Sequence, residues 1–117
     1  MPGVRVTEKR ANLFAGLPRP TSGEDFAELL RRRNVRIERI ASSPNPECVL
    51  YDQPQDEWVL LLQGEARLEV AGEEVRLGPG DHLFLPSHTP HRVLSVSAEP
   101  RCLWLAVHIH PEPLPPA

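Results

Sequence analysis

Fourteen prolines punctuate this 117-residue chain, and many of them fall at the ends of short segments. Pro18 and Pro20, Pro44 and Pro46, Pro86 and Pro90, and the closing Pro111, Pro113, Pro115 and Pro116 mark such ends. Proline has no backbone N–H to give to a helix or a sheet ladder, so this spacing argues against long helices and for short elements joined by turns. Strand signals recur between the breaks. Val35–Ile40, Glu57–Leu62, Ala66–Val70, Glu74–Leu77, His82–Leu85, Arg92–Ser97 and Arg101–Ile109 read as strands, with turns at Ala71-Gly72-Glu73 and Gly78-Pro79-Gly80-Asp81. Seven or so short strands predict an antiparallel sandwich or barrel.

One segment reads differently. Thr21 with Glu24, or Ser22 with Asp25, has the form of a helix start, and Phe26, Leu29 and Leu30 follow at helical spacing before Arg31-Arg32-Arg33. A short amphipathic helix over about 23–33 is the expectation. The chain then divides into an irregular segment with that helix (1–34), a β-barrel (35–110) and a proline-rich tail (111–117).

Trp58-Val59-Leu60-Leu61-Leu62 and Leu103-Trp104-Leu105-Ala106-Val107 do not alternate. A strand apolar on both faces is covered on both faces. The lumen of a barrel covers one; the N-terminal segment or a second subunit covers the other, and a homodimer is expected.

Charge excludes some partners. The net charge is −3, and the only basic cluster, Arg31–Arg33, suits the last turn of the expected helix. No basic stripe favours nucleic acid. No apolar run reaches membrane-spanning length, and Cys48 and Cys102 fit neither a disulfide framework nor a zinc-finger spacing. A cytoplasmic protein with no nucleic-acid or membrane partner is expected.

Residues 51–95 resemble the paired signature of the cupin superfamily. Gly80, Pro86 and His91 keep the spacing of its second motif, with His88 in place of a glycine and Ser95 in place of an asparagine. Glu57 and Gly64 keep the end of its first motif, while Tyr51 and Gln53 stand where that motif has two histidines and Asn45 where it has a glycine. The whole chain is similar to small single-domain bacterial cupin proteins. The resemblance implies a mainly β fold, a cupin-type barrel or jelly roll, with the short helix at its N-terminus.

It also implies where the chemistry sits. Cupins typically hold a divalent transition metal in the lumen with three histidines and a glutamate; here Glu57 and His91 carry over unchanged. Gln53, Glu57 and His91 are the candidate metal ligands, with Tyr51, His88 and His108 as auxiliary pocket residues. Zinc, iron, manganese and nickel are not distinguished by this set, and a metal-free Glu57–His91 pair stays an equal alternative. Strand parity puts Leu103, Leu105, Val107 and Ile109 on the cleaner apolar face and His108 on the other, so its direction depends on which face the lumen takes. Three functions remain open: a metal-dependent enzyme acting on a small organic molecule, a metal-free small-ligand pocket using Glu57 and His91, and a non-catalytic sensor or structural dimer.

Overall fold

The structure is a computed structural model that describes residues 10–116. Eight strands follow in order: β1 (Glu24–Arg32), β2 (Val35–Ser42), β3 (Asp56–Gln63), β4 (Ala66–Val70), β5 (Glu73–Leu77), β6 (His82–Leu85), β7 (His91–Val96) and β8 (Leu103–Ile109). They form a five-stranded sheet, ordered β1-β2-β8-β3-β6, and a three-stranded sheet, ordered β5-β4-β7, with antiparallel pairings throughout. The mainly β expectation holds. Among the described residues no helix is long and apolar enough to cross a membrane.

The expected helix at 23–33 is instead β1, which pairs with β2 from Glu24↔Ser42 to Arg32↔Val35. Two features explain the difference. A helix this short is marginal by itself, whereas a strand finds a ready ladder beside it. The helix-like spacing of Phe26, Leu29 and Leu30 comes from a bulge between Glu28 and Leu30, which inserts one residue and moves the apolar side chains to the other face. Phe26 therefore sits opposite Ile40, and Leu30 opposite Ile37. Arg33, at φ 55°, carries the turn into β2.

Both sheets feed one core. Ile40, Val59, Leu61, Leu68, Leu85 and Trp104 form its centre, and Leu61 is fully buried. Gly64 shows why the family spacing keeps a glycine there. Its φ is +91°, and a Cβ would lie 2.7 Å from Cys102 Sγ and 2.9 Å from Cys102 Cα. The cysteines are unpaired, Cys48 exposed and Cys102 buried, and burial pushes the Cys102 thiol up. Segments near both limits of the described residues are tied to the five-stranded sheet. Arg39 donates to the Leu13 and Ala15 carbonyls, and the tail returns through Leu114 N–H, which donates to Arg33 O at 2.7 Å.

On its outer face the large sheet carries an apolar row across all five strands. Register aligns Phe84, Trp58, Val107, Ile37 and Leu30 side by side. Phe84 at the end of this row is 52% exposed and Leu30 at the other end is 49% exposed, so the outer surface of the non-alternating strands is only partly covered within one chain.

Candidate functional site

The opposite face of the same sheet builds one wall of the site, and β4 and β7 of the other sheet supply Leu68, His91 and Val93. On β8 and β3, His108 and Glu57 are direct cross-strand partners; on β2, Arg36 is the partner of His108. Partners in a ladder share a face, so Arg36, His108 and Glu57 all point inward. The inward face of β8 is thus Trp104, Ala106 and His108, all buried. The cleaner apolar set, Leu105 and Val107 with Ile109, lies on the outer surface instead. The lumen takes the more polar face because buried partners await its imidazole.

Arg36, Glu57, Trp104 and His108 line a cavity of about 350 Å³, a size typical of small-molecule pockets. Tyr51, Gln53, Glu57, His91 and His108 all line it. His88 does not. Its side chain is exposed and its Nδ1 meets Asp52 Oδ1 at 2.6 Å. Its φ is +59°, a left-handed conformation that favours glycine, at the position where the family motif has one. Its backbone N–H donates to Gln53 O at 2.7 Å, so His88 braces the segment that carries Tyr51 and Gln53.

Three of the expected residues converge. Gln53 Nε2 donates to Glu57 Oε1 at 2.8 Å, and His91 Nε2 lies 3.6 Å from the same oxygen. A carbonyl can only accept, so His91 Nδ1–H donates to Thr89 O at 2.8 Å. That bond aims Nε2 at Glu57. Tyr51 exchanges two backbone hydrogen bonds with His91, and the two rings stack with centroids 5.6 Å apart.

Burial alone would push the Glu57 carboxyl up. Contact with His91, the neighbouring His108 and the Gln53 amide outweigh it and hold Glu57 below the usual carboxylate range. Burial would likewise push His91 down, but Glu57 and the Thr89 carbonyl outweigh it and hold the imidazole above its ordinary value. The signs set a pH window. Glu57, depressed when folded, contributes stability above its unfolded value of about 4.3 and loses it as pH falls through its folded value. His91, raised when folded, contributes below its unfolded value of about 6.5 and loses it as pH rises through its folded value. The ion pair is therefore strongest between these limits.

A second acid–imidazole pair lies beside the first, and sequence reasoning missed most of it. His108 Nε2 and Glu38 Oε1 are 2.8 Å apart, with side chains only 4% and 6% exposed. Arg36 Nη1 donates to Glu38 Oε2 at 3.0 Å, and the Gln55 amide meets His108 Nδ1 at 3.3 Å. The sequence signal for Glu38 and Arg36 is weak: they alternate with Val35 and Ile37, which read as the core face of β2.

The donor set does not fit a tightly held transition metal. Among the described residues no three His, Cys, Asp or Glu side chains are gathered as such an ion needs. Gln53 turns its N–H, not its carbonyl oxygen, to Glu57. Burial and the carboxylates of Glu24, Glu47, Glu57 and Glu38 push the Tyr51 phenol up, so it stays protonated and is a poor anionic ligand. His108 is engaged by Glu38 and Gln55.

Known proteins agree on the scaffold. The cupin domain family matches residues 44–108. A structure from Ralstonia eutropha JMP134, named as "a putative mannose-6-phosphate isomerase", is 40% identical with TM-score 0.78, over 87% of this chain and 98% of that one. A cupin superfamily protein from Desulfitobacterium hafniense DCB-2 is 20% identical with TM-score 0.72, over 87% of this chain and 92% of that one. No curated protein matches the chain. The family match spans the motif spacings around Glu57, Gly64, Gly80 and His91, strands β3 to β7 and β8 as far as His108: the chain belongs to the cupin domain family.

Proposed function

We propose that the lumen binds one small organic molecule and that Glu57 and His91 serve it as an acid–base pair, without a resident metal. The observation that carries this reading is the 3.6 Å contact between His91 Nε2 and Glu57 Oε1 at the wall of a largely apolar cavity. A carboxylate kept ionised can take a proton from a bound molecule, and an imidazolium beside it can return one. Proton transfer of this kind is the core of an isomerisation, the reaction for which the Ralstonia relative is named. A sugar phosphate is not carried over, because the cationic side chains that line this lumen are each already engaged by a carboxylate.

One observation favours a second reading. His91 has its Nδ1 anchored and its Nε2 turned inward, the arrangement of a metal-binding imidazole. A weakly held divalent ion at Gln53, Glu57 and His91 follows from it. Elemental analysis separates the two. Protein purified without chelator, then incubated with zinc, iron, manganese or nickel and desalted, is expected to retain far less than one ion per chain. Near-stoichiometric metal that disappears in Glu57→Ala and His91→Ala would overturn the metal-free reading.

We also infer that a second copy of the chain covers the outer row of Phe84, Trp58, Val107, Ile37 and Leu30. Contiguous exposed apolar surface of this kind marks an interaction site. The chain and its copy can match this face to itself about a two-fold axis, the commonest oligomer geometry. Light scattering at micromolar concentration should give twice the chain mass, and Phe84→Lys, at an already exposed position, should shift the protein toward monomer. A wild-type monomer across that range contradicts the dimer.

A further inference from the structure

The cationic side chains of the lumen are spoken for. Arg36 and His108 both hold Glu38, at 3.0 and 2.8 Å, and His91 faces Glu57. Glu24, on β1, is the carboxylate left over. It lines the same cavity, and its one hydrogen bond among the described residues comes from Ser42 Oγ at 3.2 Å. Trp104 Nε1 donates to that same Ser42 oxygen at 2.9 Å, which directs the hydroxyl proton toward Glu24. Burial pushes the Glu24 carboxyl up despite the Ser42 bond, and repulsion from Glu57, Glu38 and Glu47 adds to it. What this position lacks is a positive charge.

The surroundings suit one kind of cation. Phe26, Tyr51 and Trp104 line the cavity with Glu24, and Ile40, Val59 and Val93 supply aliphatic wall. Aromatic faces next to a carboxylate attract an ammonium group both by charge and through the ring quadrupole. An anion would meet the carboxylates of Glu24, Glu38 and Glu57 with no unpaired cation among the described lining residues.

We propose that the lumen selects a small molecule carrying an ammonium group, which pairs with Glu24 beside Phe26, Tyr51 and Trp104, while its apolar body fills the cavity. This rests on the lumen being the ligand site proposed above, and it names the class of ligand.

Three probes of nearly one shape test it: cyclohexylmethylammonium, cyclohexylmethanol and cyclohexanecarboxylate, titrated into the full chain at neutral pH and followed by amide NMR shifts. The ammonium should bind about tenfold or more tighter than the alcohol, as expected for a charge-assisted contact, and the carboxylate weakest of all. In Glu24→Gln, whose dispersed spectrum reports its fold, the ammonium should lose that advantage while the alcohol keeps its affinity. Equal binding of alcohol and ammonium in the wild type overturns the charge selection but leaves the lumen as a ligand site. A preference for the carboxylate, an ammonium preference that survives Glu24→Gln, or no binding by any probe overturns the proposal as well. The role of Glu57 and His91 is judged separately, by their own variants.

Discussion

His108→Ala should lower the unfolding free energy by about 3–5 kcal/mol, because it strands a buried carboxylate. Glu38 and His108 have side chains only 6% and 4% exposed and lie 2.8 Å apart. Removing the imidazole leaves Glu38 with Arg36 alone, at 3.0 Å, and leaves the Gln55 amide without its ring partner. The Arg36 contact places the expected loss toward the lower end of that range. A Glu38→Leu/His108→Leu double variant removes both members of the pair and should recover much of the loss, since Arg36 is exposed enough to turn to water. Urea denaturation of the three proteins checks this. A loss below about 1 kcal/mol for His108→Ala, the size of a surface pair, would show that the lumen around Glu38 is open to solvent.

The second large effect is in the core. Leu61→Ala should cost about 3–5 kcal/mol, the sum of lost burial and a cavity that the surrounding sheet fills only in part. Leu61 is fully buried, and its neighbours Val59, Leu68 and Trp104 come from strands of both sheets, which leaves little freedom to collapse. The denaturation midpoint should fall with its slope unchanged, because the surface exposed on unfolding stays the same. Val59, Leu68 and Trp104 of this core also line the cavity. A cost near 1 kcal/mol would mean that the two sheets are not packed as described.

Motif spacing makes part of this arrangement legible in the sequence. Glu57 and His91 are separated by 34 positions in the chain, yet the resemblance places them in one lumen, and their side chains approach to 3.6 Å. Strand positions from Val35 onward are also readable, because turns of glycine and proline bracket short apolar runs. Other features resist. The bulge after Glu28 produces a helical spacing within a strand, and no local rule distinguishes the two without the pairing partner. The direction of His108 depends on which face of β8 the lumen takes. That choice is made by Glu38, on a neighbouring strand 70 positions away. Glu24 has the sequence position of a helix start, and its place in the cavity follows only once β1 joins the sheet. His88 has the position of a pocket residue because it replaces a glycine at the mouth; its positive φ turns the ring to Asp52 and solvent instead.

The readings of β1, Glu24 and His108 share a cause. Inward and outward faces of a strand are a property of the pairing, and both faces of β8 and β3 are apolar enough to serve as core. Polar groups decide the matter, because a buried charge needs a partner and an apolar side chain does not. In this chain the partners are two acid–imidazole pairs, Glu38–His108 within the five-stranded sheet and Glu57–His91 across the two sheets, and the cavity opens onto both.

The most direct test of that arrangement is the imidazole titration of His91 followed by nitrogen-15 NMR in the wild type and in Glu57→Gln. The ring should titrate above the ordinary histidine value of about 6.5, carry its neutral-state proton on Nδ1, and titrate lower once the carboxylate at position 57 is an amide. A midpoint at or below the ordinary value that does not move in Glu57→Gln would contradict the pairing on which the proposed function stands.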